Sequence, residues 1–262
     1  TFAAVTGLTS GDTLNAGAGT DTVALTGNTA FTASDYFDNV SSIEAITLGN
    51  TNTAVTITTQ DALVAAGATL TLTASTSGGL TFNGAAETDG AFAITGGTGN
   101  DSITGGDGAD SIVGSTGNDS IVGGGGDDLF TFVAGTGLTS ADTTVNGGAG
   151  IDTVTLTGNT TIAATNFDNV SNIEVITLAN TTTAVTITAK DALVAAGAAL
   201  TLQATSLTTG VLTFNGTAET DGTFNITGGG GADIITGGAG NDIIDGGAGN
   251  NNITAGLGND AI

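Results

Sequence analysis

The sequence predicts an all-β fold: a parallel β-helix or β-roll solenoid built from two tandem units, with short helical turns. Three observations predict it. Residues 96–131 read GGTGNDSIT GGDGADSIV GSTGNDSIV GGGGDDLFT, four consecutive nonapeptides of the form G-G-x-G-x-D-x-U-x, where U is large and apolar. The whole pattern recurs after about 131 residues. Short runs that alternate apolar or β-branched residues with Thr precede each glycine-aspartate block, as half-buried strands require.

The nonapeptide explains itself element by element. Its glycines allow the positive φ of a tight turn, which a residue with a Cβ adopts only at a cost. Its D-x-U end is a short strand with U pointing inward. Asp101, Asp110, Asp119 and Asp128 occupy the sixth position, and Ile103, Ile112, Ile121 and Phe130 are the U residues. Two nonapeptides make one coil, so Asp101 is expected above Asp119, and Asp110 above Asp128, about 4.8 Å apart. Two bare carboxylates at that distance repel by roughly 3 kcal/mol at an effective dielectric of about 20. A hard divalent cation reverses the sign, and a site of six to eight oxygens suits Ca²⁺ rather than Zn²⁺. The expected cofactor is therefore Ca²⁺, several ions of it, held by these carboxylates and the backbone carbonyls of the adjoining Gly-rich turns. Folding is expected to depend on it.

In chain order, the first unit is residues 1–131: a β-helix segment at 1–95 and the glycine-aspartate block at 96–131. The second unit is residues 132–262, with its segment at 132–227 and its block at 228–262. Each unit opens with two looser repeats. They place Asp12 and Asp21 nine residues apart in GLTSGDTLN AGAGTDTVA, and Asp142 and Asp152 in the second copy. These four are either further calcium positions or plain turn residues. Strands follow at DTVALT, IEAITL, AVTITT, LTLTAS, LTFNG and FAITG. Spacing alone also allows a sandwich; continuity with the nonapeptides favours one parallel β-helix. Glu44 and Glu174 fall in IE-x-IT runs and are expected to face outward. Asp38 and Asp168, in FDNV, are expected in Asx-turns.

DALVAAG at 61–67 and 191–197 predicts about two helical turns, with Asp as N-cap and Gly as C-cap. Glu87-Thr88-Asp89-Gly90 and Glu219-Thr220-Asp221-Gly222 are either metal loops or exposed loop charges. The second block reads GGGGADIIT GGAGNDIID GGAGNNNIT AGLGNDAI, with Asp233, Asp242, Asn251 and Asp260 at the sixth position. Asn251 keeps a carbonyl oxygen but lacks charge, so a weaker site is expected there. Ile262 aligns with Phe130, and Thr1-Phe2 with Thr131-Phe132; the expectation is two periods of a longer chain.

Composition narrows the function. The chain of 262 residues has one Lys or Arg, 25 Asp or Glu, and a formal net charge of −24. No basic surface exists to neutralise phosphates, which argues against nucleic acid, and an anionic membrane would repel the chain. No apolar run reaches spanning length, so no direct membrane insertion is expected. With no His and no Cys, the usual bases and nucleophiles are missing, and no enzymatic activity is expected. G-x-G-x-x-G matches arise by chance among 45 glycines, and no Lys follows them.

The nonapeptides at 96–131 and 228–262 resemble those of repeats-in-toxin (RTX) proteins. That resemblance implies calcium between stacked turns, type I secretion, and folding outside the cell. The Thr- and Ala-rich segments with IEAITL, AVTIT and DALVAAG look more like bacterial surface-layer proteins that carry such repeats. This implies an extracellular, cell-surface coat component whose partner is itself, in a homo-oligomeric lattice or filament. A cell-surface polysaccharide anchor would act through regions not present here. The alternative is an extender region of a large RTX adhesin or biofilm matrix protein. Ice binding by aligned Thr and Asn is disfavoured, because too few GTGND turns align.

Overall fold

The strand pairing follows from the alternation of Thr with large apolar residues. In Thr69–Ala74 the buried positions are Leu70, Leu72 and Ala74, with threonines outside. The computed structural model describes residues 2–3, 13–25, 31–33, 37, 39–49, 54–75, 77–133, 135–158, 162–179 and 184–262. They form parallel β-solenoid coils in two units: residues 1–129 with 148–150, and residues 130–147 with 151–262. Among the described residues, no helix is long and apolar enough to cross a membrane.

In the first unit, one sheet face stacks Thr22–Leu25, Ala45–Leu48, Thr69–Ala74, Ala91–Thr95 and Ser111–Val113, all parallel. Its inward ladder runs Val23, Ile46, Leu72, Ile94, Ile112, each paired with the next. A second face stacks Val55–Thr58, Leu80–Asn83, Ser102–Thr104 and Ser120–Gly125. Its ladder runs Ile57, Phe82, Ile103, Ile121. The expected pairing of alternate nonapeptides is present: Ser102 lies on Ser120 and Ile103 on Ile121.

The second unit repeats the plan. Val154, Ile176, Leu202, Ile226 and Ile244 form one ladder, and Ile187, Phe214, Ile235 and Ile253 the other. Where the long coils meet the block, two phenylalanines pack edge to face. Phe82 and Phe92 have ring centroids 4.9 Å apart, and Phe214 and Phe224 repeat that distance. Gly84 makes room for them, since a Cβ there would lie 2.4 Å from the Phe92 ring.

Two helical expectations are corrected. DALVAAG does not make two turns; each copy is a three-residue 3-10 turn, Asp61–Leu63 and Asp191–Leu193. Gln60 and Lys190 stand at the N-cap with no side-chain cap, and Val64 and Val194 return to extended backbone. Leu63, the last residue of the 3-10 turn, and Val64, the first extended residue after it, are both buried, so the chain is already packed in extended form where a second turn would begin. Gly67 and Gly197 take up positive φ, of 69° and 75°, in a separate turn. A further 3-10 turn, Ala164–Phe167, carries buried Asn166 and Phe167.

Candidate metal centre

Burial is the first property of the block aspartates. Asp101, Asp110, Asp119, Asp128, Asp233 and Asp242 are each at most 2% exposed, while Asn251 and Asp260 are half-buried. Each turns one oxygen to the coil before it. Asp101 Oδ1 accepts from Leu80 N at 2.7 Å, and Asp110 Oδ1 from Phe92 N at 2.7 Å. Asp119 Oδ1 accepts from Asp101 N at 2.9 Å, and Asp128 Oδ1 from Asp110 N at 2.8 Å. The second block repeats this, with Leu212 N on Asp233, Phe224 N on Asp242, Asp233 N on Asn251 and Asp242 N on Asp260. Stacked acids thus meet through a backbone amide, which already offsets part of the repulsion that bare carboxylates would feel.

The second oxygen faces the turn. Asp110 Oδ2 accepts from Gly106 N, Asp233 Oδ2 from Gly229 N, and Asp242 Oδ2 from Gly238 N, at 2.8–2.9 Å. Gly97 N–H approaches Asp101, but the buried Asp101 Oδ2 makes no aligned hydrogen bond. Burial pushes the carboxyls of Asp101 and Asp110 up to about 6; Glu87 adds a smaller repulsive push at Asp110. A neighbouring cation would reverse that shift by favouring the ionised form.

At four of the glycines that open these turns, oxygens of two coils converge. A Cβ on Gly105 would lie 2.1 Å from Asp110 Oδ2 and 2.1 Å from the Gly123 carbonyl oxygen, one coil on. At Gly96 the same two neighbours are Asp101 Oδ2 and the Gly114 carbonyl; at Gly228, Asp233 Oδ2 and the Gly246 carbonyl; at Gly237, Asp242 Oδ2 and the Ala255 carbonyl. A carboxylate and a carbonyl from stacked coils converge each time on space that only glycine leaves open. Oxygen-only donors of this kind suit a hard ion such as Ca²⁺.

The other expected positions divide. Asp152 is fully buried, and its Oδ2 shares the space beside Gly147 with the Asn172 carbonyl, as in the blocks. Asp142 Oδ2 instead accepts from Thr139 N at 2.6 Å, closing a local turn. Asp21 is half-buried, and Asp12 lies outside the described residues, as does Asp38. Asp168 forms an ion pair with Lys190 at 3.2 Å, between two exposed side chains, an arrangement of little energetic weight.

Asn251 differs from its aspartate counterparts. Its Oδ1 serves Asp233 N, and its Nδ2 donates to the Gly246 carbonyl at 2.9 Å. An N–H therefore stands where the other repeats bring a carboxylate oxygen.

Glu44 and Glu174 are not outward-facing strand residues; they precede their strands. Glu44 Oε2 accepts from Asp21 N and Glu174 Oε2 from Asp152 N, both at 2.8 Å. Each takes the place of the aspartate one coil further on. The signal was present: Glu44-Ala45-Ile46 and Glu174-Val175-Ile176 are E-x-U in place of D-x-U.

Stacked turns of buried carboxylates and converging carbonyls fit a structural calcium-binding β-solenoid. Residues 5–27, 95–130 and 227–262 match the family model of the RTX calcium-binding nonapeptide repeat (4 copies), which supports an RTX-type protein. No curated protein and no solved structure matches the chain.

Proposed function

We propose that this chain is a structural, non-catalytic component of an extracellular, self-assembling surface layer, exported by type I secretion. In this reading Ca²⁺ orders each solenoid unit and bridges copies of the chain. The observation that carries it is the convergence of buried Asp oxygens and turn carbonyls in a chain with a formal net charge of −24. With a single basic residue, acidic faces of two copies have almost no direct salt bridges to make, so contact between them runs through cations. Extracellular modules bind calcium with Kd of about 10⁻⁴–10⁻³ M. At millimolar calcium each such site adds only about 1 kcal/mol, so several coupled sites decide folding together. Cytosolic calcium leaves the chain loose enough to export.

The test combines calcium titration followed by circular dichroism with electron microscopy of the calcium-loaded protein. A calcium-induced β-signal and ordered two-dimensional arrays support the coat reading. A β-signal that a chelator leaves unchanged removes the calcium dependence on which the proposal rests. Isolated rods without a lattice favour an adhesin or matrix extender instead.

A further inference from the structure

Among the described residues, two groups of three carboxylates close enough to share one metal ion lie outside the nonapeptides. A carboxylate oxygen from each of Asp61, Glu87 and Asp89 lies within 4.8 Å of the other two, and Asp191, Glu219 and Asp221 repeat the arrangement. Glu87 and Glu219 are the buried members, at 0% and 1% exposure; the aspartates are exposed. One oxygen of each glutamate closes its own loop: Glu87 Oε1 accepts from Gly90 N, and Glu219 Oε1 from Gly222 N, both at 2.8 Å. The other, Oε2, is buried with no hydrogen-bond donor in either copy. Asp61 Oδ1 is fixed by Thr88 N and Thr88 Oγ1, at 2.9 and 2.6 Å, and Asp191 is fixed the same way by Thr220.

A buried carboxylate oxygen without a donor is a costly feature to keep twice. Among the described residues, neither glutamate has a basic side chain paired with it. The only basic residue in the sequence is Lys190, and its ammonium is paired with Asp168. We propose that each cluster is a Ca²⁺ site of a second type, built from a 3-10 turn and the loop of the next coil rather than from a nonapeptide. Calcium–oxygen distances of about 2.3–2.6 Å put oxygens on opposite sides of one ion roughly 4.8 Å apart. Three carboxylates within that span can therefore share one ion, with Glu87 Oε2 or Glu219 Oε2 as the buried ligand. The two exposed aspartates leave the outer side to water. In each unit the cluster sits one coil before the block, at the Asp61–Leu63 and Glu87–Gly90 corner and its copy, so calcium would bind at the coil junction where nonapeptide geometry ends.

The test counts calcium on the full chain by isothermal titration calorimetry and equilibrium dialysis. It compares wild type with E87Q/D89N/E219Q/D221N, and separately with D110N/D128N/D242N. Loss of two ions per chain in the first variant, with the remaining binding unchanged, supports the proposal. Unchanged stoichiometry and affinity in that variant overturn it while leaving the nonapeptide reading intact. Loss of binding confined to the block variant likewise overturns it. If the first variant does not fold in calcium, anomalous diffraction from wild-type crystals soaked in Tb³⁺ decides. A peak bonded to Glu87 Oε2 or Glu219 Oε2 supports the site. Peaks confined to the nonapeptide turns refute it, and no peak anywhere refutes both readings.

Discussion

A methyl group placed at Gly105 tests the cradle directly. The Cβ of Gly105→Ala would sit 2.1 Å from both Asp110 Oδ2 and the Gly123 carbonyl oxygen, where ordinary contact begins at 3.4 Å. Neither oxygen can retreat freely. Asp110 is held through both oxygens, by Phe92 N and Gly106 N. The Gly123 carbonyl belongs to the next coil, whose strand Ser120–Gly125 is fixed by its pairing to Ser102–Thr104. Overpacking of this sort costs about 1–3 kcal/mol, and breaking one hydrogen bond to a charged group about 1.5–3 kcal/mol more. The expected loss is about 3–5 kcal/mol, in the range reserved for a small set of severe mechanisms.

Gly125→Ala is the matched control. It lies in the same block, its backbone is not in the left-handed region, and its nearest neighbour would be Asp107 Cα at 3.4 Å. Urea unfolding in saturating calcium should shift the midpoint of G105A by about 1–2 M, taking a slope near 3 kcal/mol/M. G125A should shift it little. Calorimetry should find G105A lacking the calcium bound beside Asp110. If G105A matches G125A in both midpoint and stoichiometry, the space beside Gly105 is not a cation cradle and the reasoning fails.

Three further outcomes are expected. Asn251→Asp replaces the N–H that faces the Gly246 carbonyl with a carboxylate oxygen. It should lower stability in chelator and add a calcium ion per chain, read by calorimetry; an unchanged count in saturating calcium contradicts this. The Asp101 and Asp110 carboxyls, raised by burial to about 6, hold protons more tightly in the folded chain than in the unfolded one. Without calcium, the stability they contribute is full below the unfolded value of 3.8 and is lost as pH rises through about 6, by roughly 2 kcal/mol each after allowing for solvent screening. Calcium needs the ionised form, so its affinity should fall as pH drops through the same window; chelator-treated protein that gains stability from pH 4 to 6 would contradict the assignment. Glu174→Ala should cost about 1–3 kcal/mol in thermal unfolding by leaving Asp152 N unmatched, whereas Glu174→Gln should cost less than half of that.

Register was legible because the nonapeptide period admits one stacking. Asp101 and Asp119 are 18 residues apart, and that separation alone sets Ile103 on Ile121. The Thr-apolar alternation likewise located the longer coils, although their separations vary, from Val23 on Ile46 to Ile46 on Leu72. Spacing does not say which oxygen faces which neighbour. The aspartates were expected to confront one another, yet each spends Oδ1 on a backbone amide of the preceding coil. DALVAAG misled because local propensity favours a helix there, while the structure holds the buried Val64 in extended backbone directly after the 3-10 turn. Glu44 and Glu174 were hidden by one extra methylene: the longer side chain reaches the same amide from a position that reads as strand.

The change of composition along each unit explains why metal matters in one part and less in another. The coil just before the first block carries Leu80, Phe82, Phe92 and Ile94 inward, all at most 1% exposed. The nonapeptide coil stacked on it carries Ile103 and Ile112 in the same places, together with buried Asp101 and Asp110. The second unit makes the same exchange, from Leu212, Phe214, Phe224 and Ile226 to Ile235 and Ile244 with Asp233 and Asp242. Half of the large apolar side chains are given up, and where the preceding coil buries one carboxylate, Glu87 or Glu219, the short coil buries two. Apolar burial is non-directional and needs no partner from solution; a buried carboxylate needs a positive counterpart, and this chain supplies almost none. The coil before each block keeps four large apolar side chains beside one buried glutamate, whereas the short coils have two buried carboxylates for two large apolar side chains and depend more heavily on an ion. At Asn251 the protein provides its own N–H to a turn carbonyl, and at that position the dependence on an ion is removed along with the charge.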